Sequence, residues 1–108
     1  MEKTIKVEKF TQYRHISVVL RTLAKKNSLD VFNFIKENPS CVVETITAHL
    51  QKTVDPTWSQ PETSTILASL REGKLVETHR DGKFIQYKTT ELSKEIFSVV
   101  EKFRQIYN

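Results

Sequence analysis

Residues 58 to 90, WSQPETSTILASLREGKLVETHRDGKFIQYKTT, carry a helical pattern straight into two short alternating segments, and no other stretch of the 108-residue chain restricts the fold as much. Ser59 and Glu62 stand three apart, the spacing of a reciprocal capping box in which each side chain satisfies an orphan amide of a helix start. Pro61 falls in the first turn, where its missing N–H costs nothing. Thr63, Ile66, Leu67 and Leu70 then recur at threes and fours, which puts them on one inward face and leaves Gln60, Ser64, Thr65 and Ala68 on the opposite side. The segments LVETHR and KFIQYK follow. Only Asp81-Gly82 separates them, a hairpin signal of the type I′ kind with positive φ expected at both central positions.

The rest of the chain reads as helices. From Lys9 to about Ala24, Phe10, Tyr13, Ile16, Val19, Leu20 and Leu23 repeat at helical spacing. Ser28 suits an N-cap for a second helix with Leu29, Val31, Phe32 and Ile35 facing the core, ended by Asn38-Pro39 because the residue before proline avoids the helical region. Thr45 suits the cap of a short third helix that points Ile46, His49 or Leu50 inward and ends near Gln51 or Lys52. A loop, KTVDPTW, joins it to the capped helix, with Trp58 expected to anchor it. A last helix from about Leu92 to Ile106 carries Ile96, Val99, Val100, Phe103 and Tyr107 on one face. The expected class is therefore mainly α with a small β-hairpin wing, in the order α-α-α-α-β-β-α, folded as one domain over residues 1–108. That layout is a winged helix-turn-helix.

These pieces resemble the ArsR class of bacterial winged-helix repressors, whose usual pattern is a short helix, a turn, a helix beginning Ser-Gln, then Leu-Arg-Glu, Leu-Val and a Gly-tipped wing ending in aromatics. Here they stand as Ser59-Gln60, Leu70-Arg71-Glu72, Leu75-Val76, Asp81-Gly82 and Phe84 to Tyr87. Upstream, VLRTLAKKNSLDVFNFIKE looks like the stretch in which a Leu-x-x-Leu-Ala run leads into the next helix, so the resemblance covers roughly residues 19 to 89. It implies a homodimeric transcriptional repressor that binds double-stranded DNA at an inverted repeat, with the helices near 9–24 and 92–106 forming the dimer interface. The apolar stripes of those two helices point the same way, since they exceed what one small core buries; the other reading is that both fold back on their own domain.

Composition fits a folded protein that handles nucleic acid. Apolar residues make up 38% of the chain and the net charge is +4. The surplus is uneven: residues 1 to 26 hold seven Lys or Arg against Glu2 and Glu8, a net of +5, and residues 27 to 108 hold ten against eleven acids, a net of −1. MEKTIKVEK is charged, unlike a signal peptide, and no apolar run approaches the roughly 20 residues of a membrane span, so a cytoplasmic location is expected. One cysteine, Cys41, gives no internal disulfide and fits a reducing compartment.

For DNA contact the candidates are Ser59 at the cap, Gln60, Ser64 and Thr65 toward base edges, and Arg80 and Lys83 at the wing tip toward phosphates or a minor groove, with Lys74 and His79 behind them. Gln can pair bidentately with adenine, and a hydroxyl can donate or accept. The same residues also suit a solvated helix face and a solvated turn. Members of the resembled family commonly place a basic residue and a His where this chain has Thr65 and Ile66, and Glu62 beside them repels phosphate. The family's paired metal-binding cysteines fall at Val42 and Glu44, and its second site, on the terminal helix, meets only Glu91, Glu95 and Glu101. His15, His49 and His79 offer no zinc spacing. No metal or other cofactor is expected. No nucleophile elbow, Gly-rich phosphate loop or His-Glu-x-x-His occurs, so an enzyme is not expected. The alternative function, in a different class, is a protein-interaction winged helix without DNA readout, favoured by the weakly charged helix face, the loop around Trp58 and the near-neutral residues 27 to 108.

Overall fold

The computed structural model describes the backbone of residues 2–107 and the side chains of residues 13–107. Five helices and one hairpin follow in the order α1 (Glu2–Ala24), α2 (Ser28–Glu37), α3 (Val43–Thr53), α4 (Gln60–Glu72), β1 (Val76–Asp81), β2 (Phe84–Thr89) and α5 (Glu91–Tyr107). The class and order read from the sequence are the observed ones. α1 begins seven residues before the expected start at Lys9, because Glu and Lys are good helix formers without carrying a periodic signal. Phe10 of that stripe, and the charges of Lys3, Lys6 and Lys9, lie outside the described side chains.

One core sits between α2, α3, α4 and the root of the hairpin. Val31, Phe32 and Ile35 of α2, Ile46 and Leu50 of α3, and Leu67 and Leu70 of α4 are at most 1% exposed, and Val19 is the buried apolar contribution of α1 among the described side chains. Side chains of this size, fully removed from water, each contribute about 1.5–3 kcal/mol before entropy is counted. Leu29, expected inside, is 44% exposed. The inward line of α2 is Ser28, Val31, Phe32, Ile35, a strict i, i+3, i+4, i+7 set, and Leu29 falls off it toward α5.

Three helix starts and turns differ from the expected chemistry. Asn27, at φ 67°, occupies the position before α2, and Ser28 is already helical with its hydroxyl buried and unbonded. Asn tolerates the left-handed region, so it makes the corner that a Ser cap would have made. Val42 precedes α3 in an extended conformation without a side-chain cap, and Thr45 lies inside the helix. α3 also runs on to Thr53, whose hydroxyl donates to the His49 carbonyl at 2.8 Å. In the hairpin, Asp81 pairs with Phe84, so the two-residue turn is Gly82-Lys83 and the strands start one residue later than read. Gly82 has φ 60° and Lys83 is not in the positive region, the pattern of a type II′ turn, which wants Gly first.

The α4–β1 corner is a Schellman closure. The Leu75 amide donates to the Leu70 carbonyl at 3.0 Å and the Lys74 amide to the Arg71 carbonyl at 2.9 Å, with Lys74 at φ 60°. Gly73 keeps an ordinary helical φ of −76°, so the left-handed residue is a lysine. Cys41 forms a single bridge to Tyr87, the Tyr87 amide donating to its carbonyl at 2.8 Å, which ties the chain between α2 and α3 to the wing.

Candidate nucleic-acid interface

The start of α4 is built by its own sequence. The Ser59 oxygen accepts from the Glu62 amide at 3.4 Å and the Glu62 carboxylate accepts from the Ser59 amide at 3.3 Å, so the capping box forms as read. Ser59 is half-buried and its oxygen is engaged in the cap, which leaves its hydroxyl proton to donate outward. Gln60, Ser64, Thr65 and Ala68 are exposed along one side, opposite buried Thr63, Ile66, Leu67 and Leu70. The Thr65 hydroxyl donates to the Pro61 carbonyl at 3.0 Å and therefore offers a ligand an acceptor and a methyl group, not a donor. Ile66, at 7% exposure, belongs to the core, so the departure from the resembled family at that position turns inward.

What holds this face at a fixed angle is a small polar cluster that sequence periodicity alone does not reveal. Thr63 is fully buried; its hydroxyl meets the Thr47 hydroxyl at 2.8 Å and accepts from Trp58 Nε1 at 2.9 Å. The Trp58 carbonyl in turn accepts from Gln51 Nε2 at 2.8 Å. Helix α3, the loop and α4 are thus joined through one threonine, and Trp58 anchors the loop as expected. The signal available in the sequence was a polar residue, Thr63, on an otherwise apolar helical face. Within the loop the Asp55 carboxylate accepts from the Thr57 amide at 2.9 Å and the Thr57 hydroxyl at 2.8 Å, and these bonds, the amide first, hold its carboxyl below the ordinary carboxylate value. From the other side, Lys25 Nζ donates to Ser69 Oγ at 2.7 Å and the Thr22 hydroxyl to the Ser69 carbonyl at 3.4 Å, which couples α1 to α4. Part of the basic N-terminal surplus is therefore structural.

The wing carries mixed charge. Lys88 Nζ lies 3.4 Å from the Glu77 carboxylate across the strands, so the expected cation there is balanced. Arg80 and Lys83 are exposed at the far end, with Asp81 between them in sequence. The structure thus places the six sequence candidates in two groups: Ser59, Gln60, Ser64 and Thr65 at the front of α4, and Arg80 and Lys83 at the tip of the hairpin. Lys74 and His79 are exposed as well, Lys74 as the left-handed residue of the corner.

Cys41 is buried, its sulfur 3.9 Å from the Tyr87 carbonyl, and burial raises the thiol above its usual value, which disfavours the thiolate needed for redox or metal chemistry. Among the described residues no group of three or more His, Cys, Asp or Glu could hold a metal ion. Among the described residues no helix is long and apolar enough to cross a membrane.

Away from α4, two helices present apolar surface to solvent. Tyr13, Ile16 and Leu20 of α1 and Leu92, Val99, Phe103, Ile106 and Tyr107 of α5 are each more than 40% exposed. α5 is held to the domain on its other side, where Phe97 stacks on Phe32 with ring centroids 4.1 Å apart and Lys36 Nζ lies 4.4 Å from the Phe97 centroid.

No protein-family description matches the chain, and no curated protein matches it. Solved structures do. The homodimeric winged helix-turn-helix DNA-binding domain Mb0332 from Mycobacterium bovis, described as a possible ArsR-family transcriptional regulator, is similar with a TM-score of 0.77 and 21% identity, over 92% of this chain and 86% of that one. NolR from Sinorhizobium fredii is similar at a TM-score of 0.71 and 21% identity, over 89% and 90% of the two chains. Reduced HlyU from Vibrio cholerae gives 0.68 and 21%, over 89% and 95%. At such identity the likeness is one of fold, and the fold is the winged helix-turn-helix.

Proposed function

We propose that this chain is a homodimeric, sequence-specific DNA-binding transcriptional regulator of the ArsR-like kind, a non-enzymatic repressor acting as a single domain on an inverted-repeat operator in the cytoplasm. The observation that carries the reading is the front of α4. There a rigidly capped helix offers Gln60, Ser64 and the Thr65 acceptor to solvent on one line, locked in place by Thr63 and Trp58. A major groove admits such a helix, and amide and hydroxyl groups are the ones that read adenine and other base edges. Arg80 and Lys83 supply phosphate contacts from the wing. Because α4 offers no cation at its front, affinity rests on pairing two sites, and the exposed apolar faces of α1 and α5 provide the surface for that pair. The two copies of α4 would enter successive grooves about 34 Å apart. The described neighbours of similar fold, one of them a homodimeric DNA-binding domain, support this reading.

Selection from a random duplex pool at about 0.1 M salt tests it, with a Gln60→Ala, Ser64→Ala variant in parallel. The expected result is an enriched inverted repeat that the variant does not select. Recovery of unenriched sequences by the wild-type chain, with no retention of DNA at any salt, would instead favour a protein-interaction module on the same fold.

A further inference from the structure

The hairpin ends in an apolar pair that the core does not use. Val76 is buried where the wing meets the helices and Tyr87 is half-buried beside Cys41, but Phe84 is 48% and Ile85 42% exposed at the far end. Register sets Ile85 opposite Arg80 and Phe84 opposite Asp81, so the two apolar side chains lie on opposite faces of a thin blade. Gly82 at the apex adds no side chain, and nothing lies within 4 Å of where one would begin. Strand propensity accounts for bulky residues here only in part, since Thr would serve a solvated tip as well without exposing hydrocarbon. The charge around the pair supplies the other part: Lys83 Nζ is 5.4 Å from the Phe84 ring centroid and Arg80 shares the Ile85 face, whereas Asp81 shares that of Phe84. A narrow groove between two rows of phosphates suits cations outside and hydrocarbon inside.

Resting on the DNA-binding reading above, we propose that Phe84 and Ile85 form an apolar wedge that enters the minor groove beside the α4 contact and loosens a base step there, while Arg80 and Lys83 hold the neighbouring phosphates. The wing then reads deformability rather than base edges. Pyrimidine–purine steps unstack at least cost, so a TA or CA step is expected at a fixed distance outside each half-site.

The test uses the duplex recovered by selection, with 2-aminopurine at that flanking step, titrated with the full chain. Wild type should raise the fluorescence. Phe84→Ala should weaken binding about tenfold and abolish the rise without altering the salt dependence, and Phe84→Trp should keep both. Lys83→Gln should do the converse, lowering the log-log salt slope by about 0.9 while the fluorescence still rises. Since the side chain is half-exposed, circular dichroism melts of all variants should coincide with wild type. A Phe84→Ala, Ile85→Ala variant that binds the same duplex with wild-type affinity and signal would overturn the wedge and leave the α4 reading intact. Failure of wild type to bind any duplex would overturn both. Phe84-dependent binding to phosphatidylserine vesicles without a flanking-step signal on DNA would assign the tip to a lipid surface and also overturn the wedge.

Discussion

Thr63 and Phe103 each lie in an amphipathic helix with a clear apolar stripe, yet Thr63 is sealed in the core with two hydrogen-bonded neighbours while Phe103 leaves 58% of its surface in solvent. The same contrast runs through the regions around them. Around α4 the large apolar groups are covered, the cap is reciprocal, and the loop is pinned by Trp58 and Gln51. Along α1 and α5 the periodicity is as regular, but among the described side chains only Val19, Leu23 and Ile96 of those stripes pack on the core that the chain builds for itself, while Tyr13, Ile16, Leu20, Val99, Phe103 and Tyr107 are left to solvent. Periodicity therefore identifies a face that wants cover; it does not identify which molecule provides it. On the reading proposed here, the first region reads DNA and the second completes itself against another copy.

The contrast can be broken most forcefully in the core. Phe32→Ala should cost about 3–5 kcal/mol in urea unfolding at every protein concentration, because it removes a buried ring and the stacking partner of Phe97. Phe103→Ala should cost stability only at concentrations where the pair forms, so its effect on the melting temperature should vanish on dilution. A smaller loss, about 1–3 kcal/mol, is expected for Thr63→Val, which orphans Trp58 Nε1. A red-shifted Trp58 emission in the folded variant would mark the loosened loop, and an unshifted spectrum would contradict its role as the joint between α3 and α4.

Milder changes sharpen the same point. Ser59→Ala should cost about 1 kcal/mol and Ser59→Asp much less, since both Ser and Asp can accept from the Glu62 amide. Lys74→Gly should stabilise by about 0.5–1 kcal/mol, because a β-carbon is strained at φ 60°. Smallest is the contribution of Cys41. Burial raises its thiol in the folded chain, so the associated stability is complete below the unfolded value near 9.0 and is lost as pH climbs through the raised folded value. Urea midpoints measured from pH 8 to 10 should fall more for wild type than for Cys41→Ala.

The parts of the fold that were legible from sequence are those written in local chemistry. The capping box at Ser59 and Glu62, the stop at Asn38-Pro39 and the Gly-centred hairpin each depend on a few adjacent residues. Where two local options compete, the residue that better tolerates a positive φ took the position. Asn27 took the left-handed corner ahead of Ser28, and the turn moved one residue so that Gly82 alone carries the positive φ. Gln60, Ser64 and Thr65 appear on the expected exposed face of α4 for the same local reason. The Thr47, Thr63 and Trp58 cluster and the tie from Lys25 to Ser69 join residues as far as 44 positions apart, and nothing in the spacing marks them.

Sedimentation velocity of the purified chain, alone and with the Phe103→Glu, Ile106→Glu substitutions, tests most directly whether α1 and α5 complete the molecule against a second copy. A wild-type species of twice the 12.6 kDa chain is expected at tens of micromolar, falling to one chain in the variant while its circular dichroism stays folded. A wild-type chain that sediments as a monomer at that concentration would contradict it.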